Sequence, residues 1–232
     1  MISLRYPHSH MEYQPVVDFY SGGVLFFEAL FRPGNEESPQ DVCRLAEQQG
    51  WIIDIDLFAL RSSQATLQKH ETLCIAVNVS GASIMYHAQK ILDQLDQVSQ
   101  ICTRLTIEIT ETHNIEIALL ELFVHQCRLR HIKIAQDDFG VDFSTASRAR
   151  IIRPDVIKIV APIARERLVG WANDYLLNAA ELARELKAIL LVERIETVLA
   201  EDIARLHGAT AGQGYAYGKP EKLVNAALSI AT

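Results

Sequence analysis

The chain has no C-x-x-C pair, no lysine- or arginine-rich run and no apolar stretch of the ~18 residues that a membrane-spanning helix needs. Its four cysteines, Cys43, Cys74, Cys102 and Cys127, are scattered, a pattern of reduced structural thiols rather than of a metal or disulfide framework. Acidic residues outnumber basic ones, 29 to 22, so the surface is not that of a protein for a nucleic-acid duplex. An anionic ligand would need local cations or bound metal against the formal charge of −7. The polar, histidine-bearing Met1–Glu12 lacks the apolar stretch of a signal peptide. Low-complexity segments, linkers and sharp composition breaks are also missing. A soluble, cytoplasmic protein is expected, with no membrane partner.

What remains is ordinary globular composition, 49% apolar and 22% charged over 232 residues. That suffices for one large α/β domain or two small ones. Apolar β-type runs alternate with helical patterns throughout. Strands are expected at Tyr13–Asp18, Val24–Phe31, Leu73–Ser80, Arg104–Thr110, Ile132–Gln136, Val156–Val160, Ala188–Glu193 and about Ala211–Tyr217. The first two are joined by the turn-rich Phe19–Gly23, which reads as an antiparallel hairpin. Helix-length segments separate the others, as in parallel βα units. Ser38-Pro39 opens a helix that stops at Gly50, the N-cap, proline and terminal-glycine order of a helix. Further helices are expected over Asp54–Gln68, Ser83–Val98, Ile115–Arg130, Trp171–Leu186 and Val198–Leu206, with a short last one from Pro220 to Ala227. Eight strands with intervening helices point to a closed (β/α)8 barrel, here at residues 12–232 after an N-terminal extension, 1–11. An open doubly wound sheet is the alternative, but no glycine fingerprint follows the first strand.

The strand ends carry the chemistry. Ile132-Lys-Ile-Ala-Gln-Asp-Asp-Phe-Gly140 begins as an apolar strand and ends in two adjacent carboxylates. Two unpaired aspartates repel, so a cation is expected beside Asp137 and Asp138. A turn or helix cap is the plainer reading of that pair. Glu28 and Arg32, Asn78, Glu108 and Glu111, Lys158, Glu193 and Glu196, and Gln213 fall at or near the same end of the other strands. Singly, Glu108 fits an ordinary strand glutamate and Asn78 a turn residue. Lys158, flanked by β-branched residues, needs a partner. In a barrel these ends form one face, and repeated glutamates there imply a shared compensating charge. Oxygen donors without histidine or cysteine suit Mg2+ or Mn2+.

The set Glu28-Ala29-Leu30, Asn78-x-Ser80, Glu108-x-Thr110-Glu111, Asp137-Asp138-Phe139-Gly140, Ile157-Lys158-Ile159, Glu193-x-x-Glu196-Thr197 and Gln213-Gly214-Tyr215 resembles the EAL domain family in order and spacing. Tyr13-Gln14-Pro15-Val16-Val17-Asp18 and Lys219-Pro220 are similar to it too, so the likeness runs over about residues 12–231. The resemblance implies a modified TIM barrel with an antiparallel first strand, and hydrolysis of cyclic di-GMP to linear pGpG with two Mg2+ or Mn2+ ions per site. It implies one ion held by Glu28, Asn78, Glu108 and Asp137, and a second shared by Asp137, Asp138 and Glu193. It implies catalytic roles for Glu193, Lys158 and Glu28, with Gln14, Arg32, Gln213 and Asp138 on the substrate side. Glu111 would steady the loop after Asp138, and Glu196 would support the rim. A homodimer is implied as well.

Several residues depart from that pattern. Asp142 stands where the family's loop carries a second glycine, and Ala146, Arg148 and Ala149 replace larger apolar residues. Val160 replaces an aspartate, and Arg194 replaces the glycine after the glutamate at Glu193. If position 142 has positive φ, aspartate is strained there, though less than a bulky residue. Two readings follow. The first is a metal-dependent cyclic di-GMP phosphodiesterase, favoured by the complete ligand set. The second is a non-catalytic or weakly active relative that binds cyclic di-GMP or a protein partner, motivated by Asp142 and Arg194.

Overall fold

Eight strands close into a barrel in the computed structural model, which describes residues 2–97, 99–110, 112–160, 163–164, 167–168 and 172–223. They are β1 (His10–Asp18), β2 (Val24–Arg32), β3 (Ile75–Val79), β4 (Leu105–Ile109), β5 (Lys133–Gln136), β6 (Val156–Val160), β7 (Ile189–Glu193) and β8 (Ala211–Gln213). The strands follow one another around the ring in chain order. β1 is antiparallel to both neighbours, β2 and β8, and all other pairs are parallel. The expected hairpin and the expected closed barrel are both present.

Side-chain alternation fixes what enters the lumen. Val16, Phe26, Ala76, Ala135, Val156, Leu191 and Ala211 form an apolar cluster, one residue from every strand but β4. β4 puts Thr106, which is buried, at the equivalent place. Two residues further toward the same face come Glu28, Asn78, Glu108, Asp137, Lys158, Glu193 and Gln213. In antiparallel β1 the corresponding step runs backward, from Val16 to Gln14. An apolar floor therefore carries a polar layer to which all eight strands or their ends contribute.

The residues between these point outward and meet the helices. Ile107 and Ile109 of β4 are fully buried in the larger core cluster, under α1 (Pro39–Gln48), α2 (Ile52–Lys69), α3 (Gly81–Asp96) and α4 (Ile117–Leu129). Ile157, Ile159 and Val192 join a second cluster that includes residues of α6 (Ala172–Leu186) and α7 (Val198–Leu206). The short α5 (Ala146–Ile152) lies between them in the chain. Ser38 caps α1, accepting from the Asp41 amide ahead of proline, as its sequence predicts.

Some elements differ from the sequence expectation. β8 stops at Gln213 instead of running to Tyr217, because Gly214 turns the chain against Ile195. α5 was not expected: seven residues are too short for a periodic apolar stripe, and Thr145 marks its start only through a cap on the Arg148 amide. β1 begins at His10, and before it Ile2–Arg5 form one helical turn with Ile2 buried in the larger core. The helix expected from Pro220 does not begin there, because Glu221 bridges to Tyr13 of β1, and residues 224–227 lie outside the described residues. No helix among the described residues is long and apolar enough to cross a membrane.

Arg104 ties the entry of β4 to the end of α2. Its Nη1 donates to the His70 and Leu73 carbonyls at 2.6 and 3.1 Å, and its Nη2 to the Leu67 carbonyl at 2.9 Å. Two carbonyls at the helix end and one in the loop before β3 thus share one cation. Arg104→Ala is expected to lower unfolding stability by about 2 kcal/mol. Urea denaturation measures it, and an unchanged midpoint would mean that water replaces the guanidinium.

Candidate active site

The polar layer converges on one ammonium. Lys158 Nζ lies 2.7 Å from Glu108 Oε2, 2.9 Å from Glu193 Oε1, 3.1 Å from Asp137 Oδ1 and 3.3 Å from Glu28 Oε2. The four carboxylates come from β2, β4, the end of β5 and β7, while Lys158 comes from β6. Strand register sets this up, since Asn78 pairs with Glu108 across β3 and β4 and Gln14 pairs with Glu28 across β1 and β2. Amides complete the shell. Asn78 Nδ2 donates to Glu28 Oε1 at 2.8 Å, and Gln213 Nε2 donates to Glu28 Oε2 at 2.7 Å and Gln14 Oε1 at 3.2 Å. Gln14 is itself anchored, its Nε2 donating to the Gly218 carbonyl.

These contacts split the carboxylates. Burial pushes Glu28 up, but Lys158 and the Gln213 and Asn78 amides bring it below the usual carboxylate range. Glu108 is held well above that range by burial and by the charges of Glu28 and Asp137, which Lys158 only partly offsets. Glu193 is pushed up to about 7, chiefly by burial, although Lys158 pulls it down. Burial and the neighbouring Asp137 also raise Asp138. Burial opposes charge on Lys158, but the surrounding carboxylates, Asp137 first, hold it well above the ordinary lysine value. One lysine does not neutralise so many acids. The layer is short of positive charge.

The donor set fits divalent cations. Asp137, Asp138 and Glu193 each bring a carboxylate oxygen to within 4.8 Å of the others. Glu108 Oε1 is buried with no hydrogen-bond partner among the described residues, an acceptor left open in the lumen. All are hard oxygen donors, the kind that Mg2+ and Mn2+ take. A cavity of about 1130 Å³ opens from this point, lined by Glu28, Asn78, Asp137 and Asp138 and extending to Arg32 and Asp56.

Arg32 faces the cavity from the end of β2, with Nε on Glu12 Oε2 at 2.7 Å and Nη1 on the Phe31 carbonyl. Glu196 is exposed beyond β7, and no contact joins it to the acidic cluster among the described residues. Glu111 lies outside the described residues.

The loop after Asp138 is held by residues that sequence patterns did not single out. Ser144 Oγ donates to the Asp137 carbonyl at 2.5 Å and accepts from Gln136 Nε2 at 2.9 Å. Gly140 N donates to the Ser144 carbonyl at 2.7 Å, which closes the loop. From α6, the Tyr175 hydroxyl donates to the Phe139 carbonyl, and its ring stacks on Phe139 with centroids 6.4 Å apart. Gly140, at φ +90°, leaves the room that ring needs: a Cβ there would meet Tyr175 Cε2 at 2.8 Å. On the cavity wall, Glu47 Oε1 accepts from Ser80 Oγ and Thr112 Oγ1, beside a buried Asp56 that burial pushes up to about 7. A tyrosine on an amphipathic helix and an aspartate in an apolar one carry no local signal of these roles.

Comparison with known proteins now decides the family. The sequence model of the EAL domain matches residues 2–220. The chain belongs to the EAL domain family. Among similar proteins, the probable cyclic di-GMP phosphodiesterase PdeB of Escherichia coli is 26% identical over 219 residues, covering 90% of this chain and 42% of PdeB. The chain spans less than half the length of the first curated relatives it matches. The PaMucR phosphodiesterase in its c-di-GMP complex has the same fold, with a TM-score of 0.83 at 23% identity, covering 92% of this chain and 97% of that one. The Bacillus subtilis YkuI protein, which has an EAL domain and is in complex with substrate c-di-GMP and calcium, gives a TM-score of 0.81 at 23% identity, covering 95% and 57%.

Tyr175→Phe keeps the stacked ring and removes the donor to Phe139. It is expected to cost about 1 kcal/mol and to speed hydrogen exchange at the Gly140 and Ser144 amides. Unchanged exchange at both amides would show that the loop does not depend on the Tyr175 hydroxyl.

Proposed function

We propose that this EAL domain hydrolyses cyclic di-GMP to the linear dinucleotide pGpG with two divalent cations, Mg2+ or Mn2+. The observation that carries the reading is the shortage of positive charge around Lys158: five carboxylates, Glu28, Glu108, Asp137, Asp138 and Glu193, gather at the mouth of a cavity with one buried lysine. In this reading Glu28, Asn78, Glu108 and Asp137 hold one ion, and Asp137, Asp138 and Glu193 hold the other. Bound there, the ions supply the charge that activates water and neutralises the phosphodiester.

The chain's own residues do the rest. Lys158 Nζ, 2.7 to 3.3 Å from four carboxylates, would donate hydrogen bonds that orient the attacking water. Glu193, 2.9 Å from Lys158 at the rim, would accept the water's proton. Gln213 and Asn78 fix both oxygens of Glu28 by donating to them. Arg32, anchored by Glu12, offers its remaining N–H groups to a phosphate in the cavity. Such positioning and fixed charge supply most of the catalysis in phosphoryl transfer. A homodimer is implied by the family resemblance alone.

A second reading has a specific observation behind it. Asp142 and Arg194 both occupy left-handed backbone, φ +42° and +60°, at the two places where the family pattern has glycine. A rim strained in this way would leave a protein that binds cyclic di-GMP and turns it over slowly or not at all, acting as a receptor or on a protein partner.

Turnover of cyclic di-GMP by the purified chain separates the two. Conversion to pGpG in Mg2+ or Mn2+ is expected, with binding but little turnover in Ca2+, whose looser shell positions water poorly. Glu28→Gln should lower turnover by at least ~100-fold while leaving the thermal unfolding profile in place. Binding without turnover in any metal would establish the receptor, and absence of both would remove cyclic di-GMP as the ligand.

A further inference from the structure

Arg194 follows Glu193 directly at the end of β7, and its position is tightly determined. On one side Glu193 is held by Lys158 at 2.9 Å. On the other, Ile195 is buried, its N–H donates to the Gln213 carbonyl at 2.9 Å, and its carbonyl accepts from the Ala216 amide at 3.0 Å. Gly214 packs so closely that a Cβ there would meet the Ile195 carbonyl oxygen at 2.0 Å. Between these two fixed neighbours Arg194 adopts φ +60°, a conformation that glycine takes freely and L side chains rarely. Arg194 thus carries an exposed cationic side chain on the residue directly after the rim carboxylate Glu193.

The local charges are few. The groups acting on Asp138 are Asp137 and Glu28, which are negative, and Lys158 and Arg194, which are positive. Lys158 is buried below and already shared among four carboxylates. Among the described residues, Arg194 is the second cation that acts on Asp138, and no ion pair ties it to a carboxylate.

We propose that Arg194 is a tethered cation at the rim that weakens the hold of Asp137, Asp138 and Glu193 on the second divalent ion. The inference rests on the two-cation reading above. A positive charge within a Debye length of an incoming dication would repel it through water by enough to change its affinity about fivefold. Being exposed, this repulsion is screened by salt, with a range of about 10 Å at 0.1 M ionic strength. An ion under Glu28 and Glu108, the more deeply buried carboxylates, would be affected less. The two metal sites would then fill in order, the inner first, and the outer only at higher metal concentration.

The test is calorimetric titration with Mn2+ alone, without nucleotide, on the wild-type chain, Arg194→Gln and Arg194→Lys. Glutamine removes the charge and keeps the same backbone demand; lysine keeps both. Arg194→Gln is expected to tighten the weaker Mn2+ site about fivefold at low salt, the gain shrinking in 0.5 M salt, while Arg194→Lys matches wild type. Equal affinities in all three, or an equal shift in both variants, would overturn the role of Arg194 and leave two-ion binding intact. No Mn2+ uptake by any of them would overturn the two-cation reading and this inference together.

Discussion

The contact between Lys158 Nζ and four carboxylates is the constraint on which the barrel's interior depends. Removing so many charges from water costs several kcal/mol per ion, and attraction offsets that only when every partner is in place. Each carboxylate sits two residues beyond a floor position of its strand, from Phe26 to Glu28, Ala135 to Asp137 and Leu191 to Glu193. A one-residue slip of any strand would turn its acid toward the helices and bring an outward residue into the lumen. In β4 the slip would exchange Glu108 for Ile107 or Ile109. Register and charge thus specify each other. An apolar layer would fill the same space at less cost, so stability alone does not account for an acidic one.

The rim is held by a different kind of interaction. Above the strands the period of two ends, and single contacts fix the backbone: Ser144 at the Asp137 carbonyl, Tyr175 at the Phe139 carbonyl, and Ile195 against Gly214. Left-handed residues collect here, with Asp138 at φ +41°, Gly140 at +90°, Asp142 at +42° and Arg194 at +60°. Such conformations persist where surrounding structure determines them, and they concentrate where side chains must converge from a loop. Asp137 and Asp138 are neighbours that a straight strand would point to opposite sides. The turn at Asp138 lets both reach Glu193.

This division explains what the sequence made legible. Lys158 stood out because a charged residue among β-branched neighbours needs a partner, while Glu28, Glu108 and Gln213 stood out only as an ordered set at one end of successive strands. The barrel, its hairpin and the polar layer were readable for that reason. Contacts that depend on a side chain crossing between elements were not. Tyr175 reads as an ordinary helix tyrosine, Glu12 gives no sign that it will hold Arg32, and Asp56 gives none that it will face a cavity. Glu196, prominent by its spacing from Glu193, is carried into solvent by the turn at Arg194. The conformation of that turn is a property of the backbone, and the residue that occupies it conceals it: glycine would have announced positive φ, and arginine does not.

The two departures from glycine are therefore unequal in consequence. Asp142 takes a left-handed conformation that its short polar side chain tolerates, and the loop around it still closes through the Gly140–Ser144 hydrogen bond. The Ser144 contact to the Asp137 carbonyl survives as well, so the carboxylates below are delivered to the lumen as the strand requires. Arg194 likewise leaves the backbone intact, since Ile195 and Gly214 still interlock. What Arg194 adds is charge, next to carboxylates whose shared property is a shortage of it. Substitution at the rim thus changes the electrostatics of an assembled site rather than dismantling it. On the two-cation reading proposed above, the charge of Arg194 would act first on how the rim takes up cations.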